Sequence, residues 1–79
     1  APADAGLLAA LKALRATLAR DAAVPAYVIF ADRTLIEMAM QKPASASALA
    51  TVHGVGDVKL ARYGEAFLQA IRRHGASGG

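Results

Sequence analysis

The 79-residue sequence predicts an all-α fold, a compact bundle of about five helices. Hydrophobic residues make up 56% of the chain, and many of them are alanine, which has the highest helix propensity of all residues. Leucines recur at helical spacing near the amino terminus, and the one run with high β-propensity has no second strand to pair with. A chain of this length forms a single small domain with a modest core.

The first helix is predicted from Asp4 to about Arg20. Leucines at positions 7, 11, 14 and 18 fall on one face of such a helix. Asp4 has the side chain of an amino-terminal cap, and its negative charge suits that end of the helix.

The stretch 24–35, VPAYVIFADRTL, interrupts this pattern. Pro25 disfavours helix at Val24. The run that follows looks like a strand, but an isolated strand is unstable. We therefore predict a short helical turn or an ordered bend, with Val28, Ile29 and Phe30 in the core.

A second main helix follows, begun by Asp32 or Thr34. Thr34 and Glu37 have the spacing of a capping box. Pro43 is expected to stop the helix. Its core-facing stripe is predicted to contain Leu35, Ile36, Ala39 and Met40.

The remaining elements are a short helix and a long one. Ser45 or Ser47 caps the short helix, which ends near Val52. Gly54 and Gly56 then form a tight turn between helices. The last helix is predicted from about Asp57 to His74, where Gly75 ends it. Its inward residues are Leu60, Tyr63, Phe67, Leu68 and Ile71.

Both ends of the chain have the composition of linkers. We assign residues 1–5 to a linker remnant, 6–74 to the domain, and 75–79 to a flexible carboxy-terminal tail.

The charge balance permits contact with a polyanion without requiring it. Nine basic and six acidic residues give a net charge of +3. The chain has no cysteine, which excludes disulfides and thiolate chemistry and fits a cytosolic protein. No apolar run is long enough to span a membrane.

The sequence carries no motif for catalysis. The carboxylates are scattered at positions 4, 21, 32, 37, 57 and 65, without the clustering that two-metal hydrolysis needs. His53 and His74 lack companions at metal-ligand spacing. There is no phosphate-binding GxxxxGK[ST] loop. We therefore expect no enzyme activity, metal or cofactor in this segment.

Three features could bind a nucleic acid. At the hairpin, Gly54 and Gly56 precede a helix whose free amides and positive dipole suit a phosphate, and Lys59 and Arg62 extend the contact. Alternatively, the glycines only permit a tight turn, and Asp57 would repel a phosphate.

The second feature is Tyr27 with Arg33, a stacking platform for an unpaired base if the ring is exposed, or a ring that closes the core if it is not. The third is Lys12 with Arg15, a basic edge on the first helix or an ordinary solvated face. Together these residues predict weak, salt-sensitive affinity.

Two separated motifs, VPAYVIFADRTLIEMA and GVGDVKLARYGEAFLQAI, resemble the helicase-and-RNase-D carboxy-terminal (HRDC) domain over residues 7–71, and most of all that of bacterial RecQ DNA helicases. The resemblance implies a monomeric helical domain that binds single-stranded or junction DNA and modulates an ATP-dependent 3′–5′ helicase motor lying outside these residues. It places the parent protein in the bacterial cytoplasm, at the nucleoid.

Residue by residue, the resemblance maps a single-strand-binding aromatic onto Tyr27 and basic residues of the hairpin helix onto Lys59 and Arg62. Asp57 and Glu65 stand where relatives can carry basic residues. The alternative is a regulatory domain that docks on other parts of the helicase, or on a partner protein, without binding DNA.

Overall fold

The computed structural model describes residues 4–77, which form five α-helices and contain no strand. The all-α prediction is therefore confirmed. Residues 1–3 and 78–79, which belong to the predicted linker and tail, lie outside the described part of the chain. The helices are α1 (Ala5–Ala22), α2 (Ala26–Ile29), α3 (Asp32–Gln41), α4 (Ala46–Ala50) and α5 (Asp57–Ser77).

Helix α1 begins as the sequence predicts. The Asp4 carboxylate accepts a hydrogen bond of 2.9 Å from the Leu7 amide, which otherwise has no acceptor within the helix. Leu7 and Leu11 are buried, and the other two leucines of the stripe pack against the core. Ala23 ends the helix in the left-handed conformation, with φ of 56°.

The stretch after α1 is a single helical turn, as predicted. Pro25 precedes α2, and Phe30 then returns to extended backbone with φ of −152°. Ile29 and Phe30 are completely buried, but Val28 is 39% exposed, so its predicted core position is wrong. Successive helical side chains point about 100° apart, and in α2 Ile29 faces the core while Val28 lies at the exposed edge of the turn.

Helix α3 differs from its prediction at its start. Ala31, not Thr34, is the amino-terminal cap, and no side chain caps this end. Thr34 is instead buried in the first turn, and the Glu37 carboxylate accepts a hydrogen bond from the His53 amide at 3.0 Å. The predicted capping box is therefore wrong, because tertiary contacts use both side chains.

The buried face of α3 is also rotated from the predicted one. Leu35, Met38 and Ala39 are fully buried, whereas Ile36 and Met40 are 39% and 50% exposed. Positions 35, 38 and 39 follow the i, i+3, i+4 pattern and lie on the face toward α1, against which α3 packs. Ile36 and Met40 therefore lie outside the core.

The segment from α3 to α5 follows its prediction closely. Lys42 ends α3 with φ of 48°, just before Pro43, and the Ser45 hydroxyl accepts a hydrogen bond from the Ala48 amide at 3.2 Å. In the hairpin that follows, Gly54 adopts φ of +88°. This left-handed value is strained for any residue with a side chain.

Helix α5 contributes both buried and half-buried side chains to the core. Phe67, Leu68 and Ile71 are buried, and Leu60 and Tyr63 are half-buried against them. The helix continues to Ser77, so the predicted stop at Gly75 is wrong and part of the predicted tail is helical. Gly75 was expected to act as a left-handed terminator, but glycine is also tolerated inside a helix at a modest cost.

The core is organised around the Phe30 ring. It meets Phe67 edge-on at 5.0 Å between ring centres, and Tyr63 in the same manner at 6.2 Å. Edge-to-face contacts of this kind are favourable because of the quadrupoles of the rings. Phe30 thus fixes the point where α2 and α3 meet against α5.

The two ends of the fold lie together. Nε2 of His74, near the end of α5, lies 3.3 Å from Oδ2 of Asp4, and Nζ of Lys42 lies at the same distance from that oxygen. The Leu7 hydrogen bond holds the pKa of Asp4 below its ordinary value, and the charges of Lys42 and His74 lower it further.

Candidate nucleic-acid interface

Arg15 holds the α2–α3 junction, the segment of residues 30–32 between the two helices. Its Nη1 donates a hydrogen bond of 2.9 Å to the Phe30 carbonyl, and its Nη2 lies 2.7 Å from Oδ1 of Asp32. The Arg15 side chain is only 12% exposed, so both contacts compensate the burial of its charge. The Arg15 guanidinium, which was predicted to contact a phosphate, is thus largely engaged by protein groups.

Lys12 approaches the same junction from α1. The hydrogen bond and the charge of Arg15 lower the pKa of Asp32, and the positive charge of Lys12 contributes to the same shift. The Lys12 side chain is exposed and forms no ion pair within the described part of the chain. The predicted phosphate contact of Lys12 stays a prediction, for a side chain that is open to solvent.

Helix α5 reaches the junction from the other side. The Lys59 ammonium lies 5.8 Å from the centre of the Phe30 ring, which is a cation–π contact. Arg62 lies three positions further along the helix, on the neighbouring turn, and is exposed. Neither residue forms an ion pair with any described carboxylate.

Tyr27 lies outside the core. It is 71% exposed, so its ring does not close the core, and α2 carries it one turn before Phe30. Four residues on α1, α2 and α5, the helices that border the α2–α3 junction, are called the junction surface: Lys12, Tyr27, Lys59 and Arg62.

The other predicted residues form a second group, around the hairpin. Arg33 is exposed and lies 3.7 Å from the Glu37 carboxylate. That carboxylate also accepts a hydrogen bond from the His53 amide of the hairpin. Glu37 therefore brings a negative charge next to both Arg33 and the hairpin. Arg33 therefore pairs with a carboxylate and forms neither a hydrogen bond nor a cation–π contact with Tyr27.

The two hairpin glycines have different surroundings. A β-carbon on Gly54 would overlap the Thr34 hydroxyl, so this glycine is required for packing against α3. Gly56 has no atom within 4 Å of such a β-carbon, and its carbonyl accepts the first helical hydrogen bond of α5, from Leu60. The amides of residues 57–59 precede that bond and have no acceptor within the helix. Asp57 adds a negative charge there.

Sequence reasoning missed two contacts that engage predicted site residues or their neighbours: Arg15 with Asp32, and Glu37 with the His53 amide. Arg15 and Asp32 are 17 positions apart, and Glu37 and His53 are 16 apart. No local spacing rule connects such residues, because helix packing alone brings them together.

Two further features complete the description. Within residues 4–77 no cluster of His, Cys, Asp or Glu could hold a metal ion, and no helix there is both long and apolar enough to cross a membrane.

An open groove of about 410 Å³ runs between α1 and α5, lined by Ala10, Leu14, Ala66, Gln69, Ala70, Arg73 and His74.

The sequence model of the HRDC domain matches residues 4–71. The RecQ helicase of Haemophilus influenzae is 40% identical over 73 residues, which cover 92% of this chain and 12% of that protein. The helicase UvrD2 of Mycobacterium tuberculosis is 44% identical over 69 residues, which cover 87% of this chain and 10% of that protein. The chain thus spans about a tenth of the length of these curated relatives.

Solved structures give the same result. The third HRDC domain of Deinococcus radiodurans RecQ superposes with a TM-score of 0.83 at 34% identity, covering 92% of this chain and 93% of that one. The first HRDC domain of the same helicase gives 0.64 at 46% identity, covering 96% and 99%. The fold, both motifs and the relatives agree, and the chain belongs to the HRDC domain family.

Proposed function

We propose that this domain binds single-stranded or junction DNA weakly and thereby regulates the substrate choice of a RecQ-type, ATP-dependent 3′–5′ DNA helicase of which it is an accessory part. The named relatives are ATP-dependent DNA helicases, and the chain corresponds to a small part of each. In this proposal the motor lies outside the domain, which acts as a monomer without catalysis in the bacterial cytoplasm, at the nucleoid.

The observation that carries the proposal is the junction surface. An exposed tyrosine ring can stack on an unpaired base of any sequence, which is how many single-strand-binding proteins gain affinity without base readout. Lys12, Lys59 and Arg62 supply positive charges that form no ion pair with a carboxylate of residues 4–77. Few contacts of this kind give weak binding that salt suppresses.

The experiment is a titration of the 79-residue chain with fluorescently labelled single-stranded DNA at two salt concentrations, followed by anisotropy. Tyr27→Ala should weaken binding by roughly fivefold or more, because stacking on an aromatic ring contributes about 1–3 kcal/mol per base. Tyr27→Phe should retain most of the affinity. Lys59→Ala should reduce the steepness of the salt dependence by about 0.7 per lost phosphate contact.

The matched control is Arg72→Ala, which removes the same charge from the same helix. Arg72 lies about 20 Å along α5 from Lys59 and contacts Glu65. Loss of affinity equal to that of Lys59→Ala would show that net charge alone drives binding. Absence of binding at low salt, or binding that Tyr27→Ala and Lys59→Ala leave unchanged, contradicts the proposal.

One observation favours a protein-docking function instead. Ile36 and Met40 lie one turn apart on α3 and are both substantially exposed. Apolar side chains paired in this way suit a protein contact. If DNA binding is absent, paired Ile36→Ser and Met40→Ser changes in the complete helicase should alter its unwinding activity, whereas Tyr27→Ala should not.

A further inference from the structure

The contact between Arg15 and Asp32 has the chemistry of an arginine–phosphate contact. At 2.7 Å it has the length of a charge-assisted hydrogen bond, and carboxylate and phosphate oxygens both accept from guanidinium in this geometry. The Phe30 carbonyl holds the other terminal nitrogen, so the guanidinium is fixed in orientation before any ligand arrives. A ligand that replaces the carboxylate meets an already ordered donor.

The two partners differ in accessibility. The Arg15 side chain is 12% exposed, whereas that of Asp32 is 66% exposed. The carboxylate therefore covers the outward side of the guanidinium, and it can turn into water without leaving the protein surface. Because water solvates the released carboxylate, another anion that satisfies the Arg15 guanidinium can replace it.

Lys12 adds a second positive charge beside Arg15, because the two residues lie three positions apart on α1 and the Lys12 side chain is exposed. With Asp32 turned away, Lys12 and Arg15 would present two adjacent cations beside the junction surface. Two adjacent cations suit the negative charge of a phosphodiester. The Asp32 carboxylate now occupies the place that such a phosphate group would take.

We propose that Asp32 occupies a phosphate subsite formed by Lys12 and Arg15, so that this carboxylate limits the affinity of the domain for DNA and is displaced when DNA binds. The inference rests on the proposed function, and it names a regulatory residue within that function. It also explains how the domain can carry an ordered basic pair and still bind weakly.

The test is the same DNA titration with Asp32→Asn. Affinity at low salt should rise roughly threefold to tenfold, and the salt dependence should steepen by about 0.7, the contribution of one added single-strand phosphate contact. The control is Asp21→Asn, which changes net charge equally. Asp21 is exposed, forms no ion pair with a described residue, and lies on the opposite face of α1 from Lys12, about 14 Å along the helix.

A purely structural role for Asp32 predicts that Asp32→Asn does not raise the affinity for DNA. Loss of an acidic residue from the first turn of α3 would weaken the helix and leave DNA affinity unchanged or lower. Thermal unfolding of both variants separates the two effects. In a Lys12→Ala background the gain from Asp32→Asn should shrink, because one of the two cations is gone.

The outcomes also separate this inference from the proposed function. If the unmodified chain binds through Tyr27 and Lys59, but Asp32→Asn binds no better than Asp21→Asn, the subsite is refuted while the function stands. If only Asp32→Asn binds, the masking by Asp32 is supported, while the proposed DNA binding by the unmodified domain is refuted. If neither chain binds at low salt, both proposals fail.

Discussion

Gly54 in the hairpin packs directly against the hydroxyl of Thr34 in α3, and no β-carbon fits between them. The same glycine has φ of +88°, so geometry and space both exclude other residues. The hairpin that leads into α5 therefore depends on this contact for its position on α3.

Gly54→Ala should destabilise the domain by about 2 kcal/mol or more. Left-handed backbone costs roughly 1–2 kcal/mol for a residue with a β-carbon, and the overlap with Thr34 adds to that cost. Urea unfolding measures the change. Gly56→Ala is the control, because a β-carbon there meets no atom within 4 Å and the φ angle is not positive. Equal losses in the two variants would contradict the assignment.

Ile29→Ala and Val28→Ala should differ sharply although the residues are adjacent. Ile29 is completely buried, and truncating such a side chain costs about 2–5 kcal/mol. Val28 is 39% exposed and should cost less than about 1 kcal/mol. Thermal or urea unfolding compares them, and a larger effect at Val28 would show that α2 is rotated from the described orientation.

Arg15→Ala should lower the free energy of unfolding by about 2 kcal/mol. It removes a charged donor from the Phe30 carbonyl, and hydrogen bonds of charged groups contribute about 1.5–3 kcal/mol. Arg33→Ala removes an exposed guanidinium whose nearest carboxylate is 3.7 Å away, and should change stability by less than about 0.5 kcal/mol. Urea unfolding that ranks Arg33 above Arg15 would contradict the assigned role of the junction.

Stability should fall in acid, partly because of Asp4. Its folded pKa lies below the ordinary value, chiefly because of the Leu7 hydrogen bond. Its ionised form therefore stabilises the fold above pH of about 4, and this contribution is lost as the pH falls through the folded pKa. Asp4→Asn keeps a capping side chain without the charge.

The melting temperature of Asp4→Asn should therefore depend less on pH below about 4 than that of the unmodified chain. Asp21→Asn, which removes a carboxylate that has no ion-pair partner among residues 4–77, should keep the original dependence. If the melting temperatures of all three chains fall in parallel with decreasing pH, Asp4 does not contribute to the acid sensitivity of the fold.

Local chemistry allowed much of the fold to be predicted. Asp4, Pro25 and Ser45 act on amides and dihedrals within a few residues of themselves, so their effects could be inferred from neighbouring positions. The long helices α1 and α5 were predictable because their apolar stripes repeat over several turns.

Short or contested segments were harder to predict. Four residues of α2 do not define a periodicity, so Val28 was placed inward with its neighbours. Thr34 and Glu37 satisfy a local capping rule, but burial of one and the His53 contact of the other override it. Local rules fail where a distant segment offers the same group a better partner.

The candidate site was predictable in residue type but not in arrangement. Tyr27 and Lys59 could be selected as an aromatic and a cation, and the structure adds the exposure of the first and the Phe30 contact of the second. That Asp32 covers Arg15 required knowing how α1 packs against the junction.

The meeting of Asp4 and His74 determines how this domain can be joined to a larger protein. In a longer protein, segments before Asp4 and after α5 would approach the domain from the same side, so the domain could be inserted without moving those segments far apart. Lys59 lies about 22 Å from His74 along α5. Flanking segments at that pole would therefore leave the Lys59 end of α5 uncovered.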